Sequence, residues 1–263
     1  MAPLTKEGTL SAMTGLGAHA WTVRTGGLLT PAETRALLPS LAKAHAGNAV
    51  GRLAMAARLN SGRRRTLDVK VLLPPSSILT RTAEQYAQQR LSPMLLNHSY
   101  RTYAFGMALG ALEDVDVDRE LLFAAALLHD VGLSGHPRHV DFTLASARAA
   151  RDVAETVGLS TAATETMRDA ITLHHTPGVT LKHGPVAYLL AAGAGVDVAG
   201  LRSWQLPPEV LQRMVQERPR EGFKRDFGRA WREEAAAVPA GRARLLRRYG
   251  AFGLAIKLAP FRG

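Results

Sequence analysis

The segment at residues 121–128, LLFAAALL, would be apolar around its whole circumference if it formed a helix. Such a helix must be covered on every side, so the segment predicts a central helix inside a helical protein. Asp118 precedes it as a helix cap, and Gly132 follows its end. Between the helix and that glycine stand His129 and Asp130. These are two ionisable residues at a place that should be deeply buried.

The rest of the chain also has helical periodicity, without a period-two strand pattern or an Asn-Gly hairpin turn. Thr30 to Glu33 form a capping box with proline at the first helical position, which predicts a helix running toward His45. A second N-terminal helix is expected at 47–60. The predicted fold class is therefore all-α, a helical bundle with a helical N-terminal extension.

The stretch 63–77 is the best candidate for a linker, since the tandem proline at 74–75 cannot continue a helix and its neighbours are polar. We therefore predict a basic helical N-terminal extension at 1–75 and a second domain at 76–263 that ends in basic helices.

The net charge of +11 is concentrated at the two ends of the chain. Lys and Arg number 10 against 3 Asp and Glu in residues 1–75, 14 against 6 in 202–263, and 9 against 13 between them. Solvated helix faces are the usual explanation, and an anionic partner is the alternative. Nucleic acid is disfavoured because no recognition motif is present. A peripheral contact with an anionic membrane stays open, since the terminal 249–263 is apolar enough to lie on one, although docking on the protein's own core is more frequent.

Composition narrows the chemistry further. With 263 residues and 46% apolar content, the chain can build a large core. It has no cysteine, so any metal must be bound through His, Asp or Glu. No apolar run reaches the roughly 18 residues of a membrane span, and we expect a cytoplasmic protein. Association into a homo-oligomer is left open.

Three more ionisable residues occupy helix faces that should be apolar. His98 lies in a stripe that alternates steps of four and three residues. The stripe consists of Leu91, Leu95, His98, Thr102, Phe105, Leu109 and Leu112. His174 is the last residue on the apolar inner face of its predicted helix. Asp197 is the last residue on one face of the helix that begins at Pro185.

Taken singly, each of these residues is more typical of a hydrogen-bonded core position than of a ligand. Burying an unpaired carboxylate or imidazole costs several kcal/mol, so His98, His129, Asp130 and Asp197 all need partners. One shared divalent cation would compensate all four, and nitrogen and oxygen ligands suit zinc, iron or manganese. Adjacent helical residues point about 100° apart, so His129 and Asp130 can share one ion only at a helix end.

The order of His98, His129-Asp130 and Asp197 on successive helices resembles the HD-domain superfamily of metal-dependent hydrolases. The segments LLNHSYRTYAFG, LLHDVGL, ITLHHTPGV and AAGAGVDVAG resemble its cyanamide hydratase-like branch, and the resemblance covers residues 76–260. It implies an HD-domain helical bundle with His98, His129, Asp130 and Asp197 as ligands of one divalent metal. Zinc is the metal that the resemblance favours, with iron or manganese as alternatives.

The resemblance also suggests catalytic roles. Asp130 would bind metal and manage a proton, and His174 would donate to the substrate or act as a further ligand. His175, about 100° further round the helix, is expected outside the pocket. Where that branch commonly carries Phe-Glu, this chain has Val140-Asp141, which leaves Asp141 as a candidate for orienting His174 or a nitrogenous substrate.

Two neighbouring features are left with open alternatives. Arg101 would pair with a core carboxylate, in preference to contacting the substrate. His136 and His139 could line a pocket entrance or hold a second metal, with ordinary loop histidines as the favoured interpretation.

The functional prediction is a metal-dependent enzyme that uses activated water on a small molecule, such as the hydration of cyanamide to urea. One alternative is an HD-type phosphohydrolase acting on a nucleotide or small phosphate ester. The other is a non-catalytic regulatory module whose metal is structural.

Overall fold

The helix expected at 121–128 lies at the centre of the structure. The computed structural model describes residues 15–133 and 139–261, and within them the chain forms twelve α-helices and no strand. The all-α prediction is confirmed. The helices are α1 (His19–Thr25), α2 (Pro31–Ala56), α3 (Ile78–Arg90), α4 (Pro93–Leu112), α5 (Arg119–Leu128), α6 (Thr143–Val157), α7 (Thr161–Leu173), α8 (Pro185–Ala199), α9 (Pro208–Glu217), α10 (Phe223–Ala237), α11 (Arg242–Tyr249) and α12 (Phe252–Leu258).

Helix α5 lies against α3, α4, α6, α7 and α8. All of its residues from 121 to 128 are buried, as the apolar pattern requires. Asp118 caps it, since its Oδ1 accepts hydrogen bonds from the backbone N–H groups of Glu120 and Leu121. The end of α5 is therefore held at the centre of the molecule.

Helices α4 and α8 approach each other closely at two glycines. A Cβ atom on Gly193 would lie 2.0 Å from the carbonyl oxygen of Thr102, and one on Gly106 would lie 2.7 Å from that of Leu189. Only glycine fits such a backbone contact. This contact brings the polar residues of α4 next to Asp197 near the end of α8.

Helix α2 differs from the prediction in its length. Its capping box at Thr30 is confirmed, but the chain runs as one helix to Ala56 without the expected break near residue 46. Long-range packing explains the continuity: Asn48 and Gly51 are buried, and a Cβ on Gly51 would lie 2.0 Å from the ring of Trp204.

The region before residue 75 packs directly on the rest of the chain. The backbone N–H of Asp141 donates to the carbonyl of Gly26 at 2.9 Å, and the N–H of His19 donates to Asp169 at 2.7 Å. Leu37 of α2 belongs to the same core as the residues of α5. No α-helix crosses the tandem proline, and the chain before it forms two short 3-10 helices at Ser61–Arg64 and Val69–Leu72. A domain boundary at residue 75 stays a prediction.

The C-terminal segment docks on the protein's own core through Ile256 and Phe261, which are buried. Phe261 stacks on Phe105 with 6.0 Å between the ring centroids. Leu254 and Leu258 remain exposed on the other side of α12. In the ranges 15–133 and 139–261, no helix combines the length and apolar character needed to cross a membrane.

Candidate metal centre and active site

The polar pair that follows α5 sits in a tight turn. The helix ends at Leu128, His129 is its C-cap, and the chain then bends through Gly132. A Cβ on Gly132 would lie 2.1 Å from the carbonyl oxygen of Phe142, and its N–H donates to Ser146 Oγ at 2.9 Å. This turn presents His129 and Asp130 to the seam between helices, as a shared ion would require.

Three buried histidines have the same hydrogen-bonding arrangement. In each ring, Nδ1 donates a hydrogen bond to a carbonyl or carboxylate oxygen, which leaves Nε2 as the nitrogen that can face a metal. The pairs are His98 with Asp197 Oδ2 at 2.7 Å, His129 with the Ala126 carbonyl at 2.7 Å, and His174 with the Ile171 carbonyl at 2.6 Å.

The free nitrogens of these rings converge on Asp130. Its Oδ2 lies 3.5 Å from His98 Nε2 and 3.4 Å from His129 Nε2, and its Oδ1 lies 3.7 Å from His174 Nε2. Among the described residues, neither oxygen of this buried carboxylate accepts a hydrogen bond. A buried carboxylate without donors and facing imidazole lone pairs fits a bound cation.

The best ligand set is His98, His129 and Asp130, which offer atoms that all lie within 4.8 Å of one another. Burial lowers the pKa of His129 and takes the pKa of His174 well below its ordinary value. Both rings are therefore neutral near pH 7, which is the form that binds a metal.

Asp197 lies behind His98: its Oδ2 accepts the hydrogen bond from His98 Nδ1, the ring nitrogen that does not face Asp130. Its two oxygens also accept hydrogen bonds from Arg101, at 2.7 Å from Nε and 2.8 Å from Nη2, which confirms the pairing predicted for this arginine. Arg220 donates to the same carboxylate. Burial alone would raise the pKa of Asp197, but the two guanidinium groups hold it well below its usual range. In this structure Asp197 orients His98, one of the proposed metal ligands. The assignment of Asp197 itself as a metal ligand stays a prediction.

Residues 95–216 match the HD domain family, and the match contains all the residues of the centre described so far except Arg220. The chain contains an HD domain. HD domains are all-helical, belong to metal-dependent hydrolases and bind divalent metals, in agreement with the fold and with the convergent donor atoms.

Two curated proteins resemble part of the chain. They are the cyanamide hydratases DDI2 and DDI3 of Saccharomyces cerevisiae, each 35% identical over 63 residues. The aligned segment covers 23% of this chain and 28% of each relative, so most of both relatives lies outside the similarity.

Asp141 of the HD domain has a different partner from the predicted one. Its Oδ2 accepts hydrogen bonds from Arg242 at 2.8 and 3.1 Å and lies 3.3 Å from His175 Nε2, whereas no contact with His174 is seen among the described residues. Burial alone would raise the pKa of Asp141, but Arg242 and His175 hold it well below its usual range. Asp141 therefore contacts the cavity residue His175 and the buried Arg242, and its assignment as a catalytic residue stays a prediction.

The expectation that His175 lies outside the pocket is wrong. The two rings follow Leu173, the last residue of α7, and different elements cover them: the His174 ring lies 4.8 Å from that of His129, and the His175 ring lies 5.7 Å from that of Trp231. Both line the same cavity. The His175 ring stacks on Phe142 with 5.2 Å between centroids. His139 is exposed and does not line this cavity, and His136 lies outside the described residues.

The metal-facing residues of the HD domain open into a cavity of about 260 Å³. Part of its lining comes from outside the matched segment: Leu41, His45 and Asn48 on α2, Trp231 on α10 and Phe252 on α12. Sequence reasoning did not find these residues, because no local pattern shows which distant helix covers a cavity. Buried carboxylates predict that some arginines are buried beside them. The C-terminal region contains many arginines, and the sequence does not show that Arg220 and Arg242 are the ones that pair.

Proposed function

We propose that this protein is a metal-dependent enzyme that adds activated water to a small nitrile-like molecule, with hydration of cyanamide to urea as the model reaction. The observation that carries the proposal is the convergence of three histidine Nε2 atoms on the unpartnered carboxylate of Asp130, at the edge of a cavity. The similarity to two cyanamide hydratases supports the choice of reaction.

His98, His129 and Asp130 would hold the metal, which we take to be zinc, with iron or manganese as alternatives. When bound, such an ion lowers the pKa of a coordinated water to about 7 and so provides hydroxide at neutral pH. In the overall reaction, the water oxygen bonds to the nitrile carbon, and both protons of the water end on the nitrile nitrogen.

The proton transfers would fall to Asp130 and His174. Asp130 Oδ1 lies 3.7 Å from His174 Nε2 and would accept a proton from water. His174 lines the cavity, and its Nε2 would pass that proton to the substrate nitrogen. The hydrogen bond from His174 Nδ1 to the Ile171 carbonyl keeps the ring in this orientation.

The cations around the site favour a neutral substrate over a phosphate ester. Arg101 and Arg220 are paired with Asp197, and Arg242 is paired with Asp141. Of the described residues that line the cavity, Arg202 is the only Lys or Arg, and it is paired with Glu113. A phosphohydrolase would need cations free to contact phosphate oxygens. This is why we place phosphate ester hydrolysis second.

The non-catalytic alternative is less well supported, because a purely structural metal site has no need of a cavity beside it. Three statements about the protein's surroundings stay predictions: a cytoplasmic location, a peripheral contact of the basic flanks with anionic membranes, and self-association.

The test is a pair of assays on protein loaded separately with zinc, iron or manganese, one for urea formed from cyanamide and one for hydrolysis of p-nitrophenyl phosphate. We expect urea formation that is lost in His129→Ala and kept in His183→Ala, a histidine outside the cavity lining. Turnover of the ester alone would contradict the hydratase proposal.

A further inference from the structure

The cavity is much larger than cyanamide, which is among the smallest organic molecules. Its volume is about 260 Å³. For comparison, an apolar cavity of about 150 Å³ holds benzene. Most of the lining beyond the metal centre is apolar and includes Leu41, Val179, Val198, Leu201, Trp231 and Phe252. A substrate that fills this space must carry a hydrocarbon group.

Helix α2 adds a polar group to this apolar lining. Asn48 is only 7% exposed, lines the cavity, and has no hydrogen-bond partner for Oδ1 among the described residues. His45, three residues earlier on the same helix, also lines the cavity, and its buried Nε2 has no partner within the described ranges. Buried polar atoms are nearly always hydrogen-bonded, so these two atoms point to a polar group on a ligand.

Helix α2 is held firmly enough to serve as part of a binding site. Arg52 donates from Nη1 to the Leu258 carbonyl at 2.6 Å and from Nη2 to the Ala199 carbonyl at 3.0 Å, which ties α2 to both α12 and α8. On the other side of Asn48, Ser40 lies so close to Gly178 that a Cβ there would be 2.7 Å from Ser40 Oγ. Asn48 is thereby fixed relative to the turn that carries the two cavity histidines.

We propose that the substrate is a neutral nitrile or substituted cyanamide with a hydrocarbon group, and that Asn48 accepts a hydrogen bond from an N–H or O–H of this molecule. The hydrocarbon group lies in the apolar part of the cavity. Helix α2, which lies outside the residues that match the HD domain, is then the element that selects the substrate. This inference rests on the proposed function, because it takes the nitrile carbon to be the atom attacked at the metal centre.

The first test measures binding of neutral product analogues to the zinc-loaded protein by calorimetry, in the series urea, N-methylurea and N-butylurea. Each CH₂ group that is buried should tighten binding about fourfold, which corresponds to about 0.8 kcal/mol. N-butylurea should therefore bind at least tenfold more tightly than N-methylurea. Equal affinities across the series would overturn the inference.

Two cavity variants separate the polar contact from the apolar one. Asn48→Ala should weaken the binding of every member about tenfold without lowering metal content. Val198→Phe should shorten the apolar part and weaken N-butylurea while sparing urea. The matched control is Val50→Ala, which is also on α2 but 67% exposed. It should change neither the affinity for urea nor the affinity for N-butylurea. Thermal melts verify that each variant is folded, and either cavity variant alone can refute its half of the inference.

The second test compares kcat/KM for cyanamide and for N-alkylcyanamides. We expect a higher kcat/KM for the alkylated substrates, and in Asn48→Ala a rise in KM that exceeds the fall in kcat. If cyanamide is hydrated at least as well as the alkylated substrates, the further inference fails and the proposed function stands. If the metal-loaded protein hydrates no nitrile, the proposed function fails, even if the alkylureas bind as predicted.

Discussion

The Nε2 atoms of His98 and His129 lie 3.3 Å apart, and in both rings Nδ1 is already hydrogen-bonded to an acceptor. If each ring carries its only proton on Nδ1, the two Nε2 lone pairs face each other at this distance and repel. A cation bound to both nitrogens and to Asp130 beside them would remove this repulsion. This relationship connects the hydrogen bonding of the HD domain to its proposed chemistry.

Asp197→Asn should reduce metal affinity about 10–100-fold without abolishing it, because Asp197 orients His98 from behind. The same variant leaves Arg101 and Arg220 without their buried carboxylate, so the free energy of unfolding should fall by about 3–5 kcal/mol. Metal titration and urea denaturation measure the two effects. Asp152→Asn, which removes an exposed ion pair with Arg151, serves as the control and should change neither. Complete loss of metal from a folded Asp197→Asn protein would show that Asp197 is itself a ligand.

Stability should fall at acid pH because of Asp141. Its pKa is lower in the folded protein than in the unfolded chain, where it is about 3.9. Its stabilising contribution is therefore present above that pH and is lost as the pH falls toward the folded value. Urea denaturation between pH 7 and pH 3 should show this decline. Asp141→Asn should be less stable than the wild type at pH 7 and should have a flatter pH profile. Parallel profiles for the two proteins would refute this assignment.

Gly132→Ala should destabilise the protein by about 1–3 kcal/mol, since the added methyl group would meet the Phe142 carbonyl at 2.1 Å. It should also lower metal affinity, because the turn carries two of the proposed ligands. Gly47→Ala is the matched control: nothing lies within 4 Å of its added Cβ, and alanine should stabilise α2 by about 0.5–1 kcal/mol. Equal thermal stability of the two variants would contradict the steric argument.

The parts of the fold that sequence predicts well depend on local periodicity. The apolar circumference of residues 121–128 and the stripe containing His98 both correspond to buried helix faces. The break expected near residue 46 is wrong, because the packing of Gly51 on Trp204, which holds the helix together across this point, is not visible in the sequence.

The site was predictable where a residue's own helix determines its burial, as for His129 and Asp130. Partners from distant segments were not predictable. The basic C-terminal region was interpreted as solvated helix faces, yet Arg220 and Arg242 are buried beside Asp197 and Asp141. Likewise, Asn48 reaches the cavity because α2 packs across it, more than 40 residues before the segment that matches the HD domain.

The central claim is that His98, His129 and Asp130 hold a divalent metal, and the most direct test is the metal content of the purified protein by elemental analysis. We expect about one divalent ion per chain in the wild type and in His183→Ala. We expect loss of most of it in His98→Ala and His129→Ala, with both variants still helical by circular dichroism. Full metal content in both of these ligand variants would contradict the account.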